Sequence, residues 1–251
     1  MWESFKIAFA MYSKIPMPYA KWEKNNIRYS LCFFPLVGVV IALGIILWDN
    51  VSSMLAFGDV MRTVIFIIIP IIITGGIHVD GLIDTMDAKN SYQPIDKKLE
   101  ILKDPHIGAF GLIMSIVYFL LSFGVWSEIT SESIYLVSIT FILSRSLSGL
   151  SIVTFPLAKN SGLAASFSNA AEKNIVKFVM YIYILICILG MIIINFKFGI
   201  ILVMVAAFTF FYYKKMSIKN FGGITGDLAG YFLQICELFI VLSYVIFNKI
   251  L

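Results

Sequence analysis

The chain has 251 residues, 60% of them hydrophobic and 14% charged, with a net charge of +4 and a mean hydropathy of +0.92. A soluble domain of this size carries about 25% charged residues, so the composition excludes an ordinary water-soluble globule and describes a chain solvated mainly by lipid. Cys32, Cys187 and Cys236 lie in apolar runs without C-x-x-C spacing, which points away from a zinc ribbon or a disulfide framework.

The opening stretch MWESFKIAFAMYSKIPMP sets Trp2, Phe5, Phe9 and Tyr12 at helical spacing, with Lys6 and Lys14 among them. That pattern predicts a helix lying in the membrane interface and stopped by Pro16 and Pro18. Charges interrupt its apolar residues and no A-x-A-like site follows, unlike a signal peptide. Seven spans are then predicted at residues 31–48, 63–77, 109–126, 134–155, 178–194, 198–213 and 229–247. Gly38, Gly44 and Pro70 fall inside the first two, where neighbouring helices can repair the backbone.

Charge tests this count independently. With a cytoplasmic N-terminus, residues 1–30, 78–108, 156–177 and 214–228 together hold 15 Lys and Arg, against three (Arg62, Lys197 and Lys249) on the other side. Arg145 alone falls within a span. The expectation is one all-α, multi-pass domain over residues 1–251 in the cell membrane, with 1–30 a cytoplasmic amphipathic segment and 78–108 a cytoplasmic active-site loop. Nothing points to a nucleic-acid partner, and a homo-oligomer is left open.

The stretch GGIHVDGLIDTMDA, residues 75–88, closes the second predicted span. On a helix Asp80, Asp84 and Asp87 fall within about 60° of arc. Carboxylates so clustered repel one another unless a cation neutralises them, and hard oxygen donors suit Mg²⁺ or Mn²⁺. A metal–diphosphate site is the functional reading, and a solvated helix end the structural one. His78 lies on the far side of the helix and reads equally well as a polar cap. In DKKLEILKDPHIGAFG, residues 96–111, Lys97, Lys98, Lys103 and His106 could hold phosphates. Asp104 and Glu100 could complete a metal shell, and Gly108 and Gly111 permit close backbone approach. In FGGITGDLAG, residues 221–230, Gly223 and Thr225 could present backbone N–H groups to an anion, or Asp227 could simply cap the last helix. Arg145 and Glu237 are each deep in a span, so they are expected to pair, unless Arg145 lines a wet cavity and reaches a substrate phosphate.

The motifs YSKIPMP, GGIHVDGLIDTMDA, LKDPHIGAFG, Arg145, KNSGLA (159–164) and GGITGD (222–227), in this order, resemble the cobalamin synthase (adenosylcobinamide-GDP ribazoletransferase) family over nearly the whole chain. One departure is His106, where many members have Arg. The resemblance implies a Mg²⁺-dependent membrane transferase. Such an enzyme joins adenosylcobinamide-GDP to α-ribazole or its 5′-phosphate and releases GMP. In it Asp80, Asp84 and Asp87 would hold metal, and one of Asp84, Asp87 and Asp104 would take the hydroxyl proton. Lys98, Lys103, His106, Arg145, Gly223, Thr225 and Asp227 would bind substrate. CDP-alcohol phosphotransferases and prenyltransferases are the rival enzymes, but their Asp-rich patterns do not match. A transporter with Arg145, Gln234 and Glu237 as its polar track is the non-enzyme alternative.

Overall fold

The computed structural model describes residues 1–250, which form helices and, among the described residues, no strands. In chain order the helices are α1 Trp2–Tyr12, α2 Lys24–Ile27, α3 Phe34–Met54, α4 Asp59–Thr74, α5 Ile77–Asn90, α6 Ile95–Ile101 and α7 Ala109–Trp126. They continue with α8 Ile134–Ser138, α9 Thr140–Thr154, α10 Leu163–Ala170, α11 Lys173–Ile194, α12 Phe196–Phe221 and α13 Gly226–Ile250. Six helical segments are long and apolar enough to cross a membrane, and a bent pair, α4 with α5, makes a seventh.

That pair departs from the sequence expectation of a straight span over 63–77 followed by a loop. The helix begins earlier, at Asp59, and stops at Gly75 and Gly76, whose φ angles of 67° and 80° are left-handed. Glycine adopts that conformation without a Cβ penalty, so two in succession break the helix cleanly. The chain leaves at 96° to its former axis and resumes as α5. Much of the expected loop over 78–108 is therefore helix, in α5 and α6. The other predicted spans survive with moved ends. The fourth is α8 and α9 in succession, the fifth starts at Lys173, and the sixth runs on to Phe221. A single residue, Asn195, turns α11 into α12, and its side chain accepts from the Phe198 N–H at 3.1 Å as an N-cap.

Helix α9 is the centre of the bundle, buried from Thr140 to Val153 at every residue but Ile142, between α3, α11 and α13. Gly38 of α3 sits directly against the Phe141 carbonyl of α9, and a Cβ there would overlap it. Small residues at such crossings let membrane helices gain dispersion contact that lipid cannot replace. By contrast α7, α11 and α12 show long apolar faces outward, where a bilayer would cover them. Helix α1 packs Phe5 against Phe33 of the 3-10 turn Ser30–Phe33 and Tyr12 against Phe34 of α3, and Lys6 is drawn under, bonding Glu3 and the Tyr19 carbonyl. At one end of the bundle Arg62 binds Asp49 at 2.5 Å and the Ile129 carbonyl at 2.7 Å, and Lys249 binds Glu128 at 2.7 Å. The aspartate motif lies at the other end.

Candidate active site

Helix α5 is held by two neighbours. It runs antiparallel along the start of α13, with Gly81 against Asp227 and His78 against Gly230. A Cβ on Gly81 would lie 2.6 Å from the Asp227 carbonyl oxygen, so only glycine permits this approach. At its other end Asp87 meets the start of α7 and accepts the Gly111 N–H at 3.1 Å. A carboxylate at a helix N-terminus satisfies a free donor and complements the helix dipole.

This packing adds a fourth acid to the three that share a face of α5. Asp80, Asp87 and Asp227 all lie close enough to Asp84 to act on its charge. The cap of α13 is Thr225, whose hydroxyl accepts the Leu228 N–H at 3.2 Å and donates to Asp227 at 3.3 Å. Asp227 is thus free for the acid cluster instead of serving as the cap. Among the described residues no Lys or Arg is ion-paired with any of the four. Nor, among the described residues, are three acidic, His or Cys side chains close enough together to hold a metal ion as they stand. The donor chemistry nonetheless fits a hard cation, since Mg²⁺ retains several waters and needs only one or two protein carboxylates beside substrate phosphate.

Three cavities surround Asp80 and Asp227. An open one of about 610 Å³ is bordered by Asp80, Lys14, Gly75 and Phe119, and the Lys14 side chain lies across Gly75. A second, about 190 Å³, brings together Lys103, Lys159, Ser161, Thr225 and Asp227. The third, about 260 Å³, is mostly apolar and shares Leu163, Ala164, Gly226 and Asp227 with the second. Two lysines beside the start of α13 suit an anionic ligand. Lys159 and Ser161 come from the KNSGLA stretch and Lys14 from YSKIPMP. Both stretches were visible as motifs, but no spacing links them to the aspartates.

The remaining expected site residues are elsewhere. Lys98 is buried and donates to Asn220 of α12 at 3.4 Å. Lys97 is spent on Glu100 at 2.8 Å. Asp104 and His106 form an exposed pair at 2.7 Å outside all three cavities, and the His106 N–H and ring hold the Asp104 carboxyl below the usual carboxylate range. The Gly223 N–H goes to the Ser217 carbonyl, and next to it Ile224 exchanges bonds with Pro156 and Ala158, so these amides serve packing. Arg145 is fully buried and bonds Glu237 at 2.7 Å, choosing the pairing over the phosphate role. The cavity beside this pair, bordered also by Gln234 and Tyr118, is about 30 Å³, room for a water.

Substitution tests the lysine cavity. Lys103→Ala and Lys159→Ala should each raise the KM of a diphosphate substrate about tenfold while leaving membrane insertion unchanged, since each removes one charge-assisted contact. Steady-state kinetics on the solubilised protein would show it, and an unchanged KM in both variants would remove this cavity from the site.

The chain is also similar to known proteins. The family model described as cobalamin-5-phosphate synthase matches residues 4–245. A protein of Lachnoclostridium phytofermentans, described as adenosylcobinamide-GDP ribazoletransferase, is 48% identical over 97% of this chain and 93% of its own. Proteins with the same description from Clostridium botulinum strain Alaska E43 and Desulfitobacterium hafniense strain Y51 are 28% and 30% identical, over 99% and 94% of both chains. No solved structure matches the chain.

Proposed function

Because the chain belongs to the cobalamin-5-phosphate synthase family, we propose that the acid cluster of α5 and α13 is where it transfers its phosphoryl group. It is a multi-pass membrane transferase of cobalamin biosynthesis. It joins adenosylcobinamide-GDP to α-ribazole or its 5′-phosphate, the step that assembles the nucleotide loop, with release of GMP. A ribose hydroxyl forms the new bond to the phosphorus on the cobinamide side of the diphosphate. The bond from that phosphorus to the oxygen of GMP breaks.

The observation that carries the site is the gathering of Asp80, Asp84, Asp87 and Asp227 without a paired cation, beside a cavity holding Lys103 and Lys159. One or two of Asp80, Asp84 and Asp227 would hold Mg²⁺, or Mn²⁺ in its place. When bound, the ion neutralises diphosphate charge. Lys103 and Lys159 bind the guanosine-side phosphate, while Thr225 holds Asp227 in place. Asp87, fixed by the Gly111 N–H, orients the end of α5. An α5 carboxylate takes the hydroxyl proton, a role that the exposed, His106-bound Asp104 is poorly placed to fill. Release of labelled GMP from adenosylcobinamide-GDP by detergent-solubilised protein tests the reading. We expect turnover with Mg²⁺ and its loss in EDTA. EDTA-resistant turnover would remove the metal, and no GMP release would remove the transfer.

The same reading puts the N-terminus and the acid cluster on the cytoplasmic side of the cell membrane, on the strength of the 15-to-3 charge division. All three native cysteines are buried, so single cysteines report cleanly. Lys97→Cys should label from the cytoplasm and Ser131→Cys from outside. Labelling of both from one side would refute the topology.

A further inference from the structure

The transferase has three organic groups to accommodate: a corrinoid, a guanosine and the base of the acceptor nucleoside. Their chemistry differs sharply. The corrinoid is far too large for an enclosed cavity of about 260 Å³. Guanine carries donors and acceptors around its edge and arrives with two phosphates, which suits the cavity of Lys103 and Lys159. The base of α-ribazole is a flat, methylated bicycle with one unsubstituted ring nitrogen and no exocyclic donor.

The apolar cavity matches that last description. Tyr12, Phe34, Leu31, Ile152 and Leu233 supply its walls, and Tyr12 and Phe34 themselves lie 4.3 Å apart between ring centroids. Aromatic and aliphatic walls favour a flat apolar ring over a polar one. Two buried polar side chains interrupt them: Ser148, 2% exposed, and His78, 5% exposed. The His78 Nε2 has no hydrogen-bond partner. A buried nitrogen left without a partner is destabilising until a ligand or water supplies one. Asp80 and Asp227 border the same cavity, so a nucleoside seated with its base inside presents its sugar to the acid cluster.

We propose that this cavity binds the base of the acceptor nucleoside, its ring nitrogen accepting a hydrogen bond from the Ser148 hydroxyl or the His78 ring. The assignment rests on the transferase reading and adds to it the place and the recognition chemistry of the acceptor. It explains why His78 is drawn into the interior, edge-on to Phe34 at 5.9 Å, instead of capping the helix at the surface.

The test compares α-ribazole with the corresponding dimethylindole riboside, in which the ring nitrogen is a C–H group of the same shape. The wild-type protein should bind the indole analogue about tenfold more weakly in equilibrium dialysis, and show the same ratio in acceptor KM, since one neutral hydrogen bond is lost. Ser148→Ala or His78→Leu should bring that ratio close to one while leaving the KM for adenosylcobinamide-GDP within about twofold. Filling the cavity with Ile152→Trp should abolish α-ribazole binding and spare donor binding. Equal binding of the two ribosides by the wild type, or an unaltered ratio in both polar variants, would overturn the proposal. Absence of GMP release would count against the transferase reading alone, because dialysis with α-ribazole still decides the cavity.

Discussion

Asp80→Asn and Asp84→Asn should each lower GMP release by about a hundredfold or more while the protein still inserts and folds. Asparagine keeps the shape of aspartate and removes its charge, so the helix contacts of α5 are retained. Asp84 stands among Asp80, Asp87 and Asp227, and none of the four has an ion-pair partner among the described residues. Removing one charge therefore relieves repulsion in the resting protein, and thermal stability should stay level or rise. Activity should move the other way, because the same carboxylates are needed to hold the cation that meets the diphosphate. Opposite changes in stability and turnover are the signature. Parallel losses of both would make the aspartates structural, and normal EDTA-insensitive turnover in the double variant would leave them a mere helix end.

The second large effect is expected far from the chemistry, at Arg145 and Glu237. Arg145 is fully buried and bonds the Phe141 carbonyl at 2.9 Å as well as Glu237, while Ser144 donates to Glu237 at 2.7 Å. Its Nε and Nη2 have no partners among the described residues, so the guanidinium is already short of acceptors. Glu237→Leu would leave that charge alone in the bundle, a loss of about 3–5 kcal/mol by analogy with other broken buried pairs. Unfolding in detergent should shift down by on the order of 10 °C. Arg145→Leu should cost a similar amount, and the double replacement by leucine should recover most of it, because neither charge is then stranded. An unchanged unfolding temperature in Glu237→Leu would show the pair to be dispensable.

The spans were legible because hydropathy is a one-dimensional signal: apolar runs count the crossings. The shared face of Asp80, Asp84 and Asp87 was legible for the same reason, since helical periodicity acts over a few residues. What was not legible depends on pairs far apart in the chain. The two glycines at 75 and 76 are obvious in the sequence, but whether they end a span or break a continuing helix depends on Gly81 and Gly230 docking α5 against α13. Asp227 enters the acid cluster only through that docking. Lys98 looks like its neighbour Lys97, yet it turns inward to Asn220 because its side of α6 faces α12. Gly223 looks ready to bind an anion, but the segment around Pro156 takes up the neighbouring amides.

The close seat of α5 on α13 has a consequence for the membrane itself. Only the backbones of Gly81 and Gly230 separate the two helices where they touch, so α5 has little slack with which to follow α13 if that helix tilts. α13 is anchored in the bundle by Glu237 and carries Asp227 at its first turn. A helix of fixed apolar length answers a thinner bilayer by tilting. Tilt of α13 would swing Asp227 past Asp80 and change the spacing of the acids that the transfer relies on. Turnover should therefore depend on acyl-chain length when the protein is placed in vesicles, making the thickness of the lipid a hidden variable of the enzyme's rate.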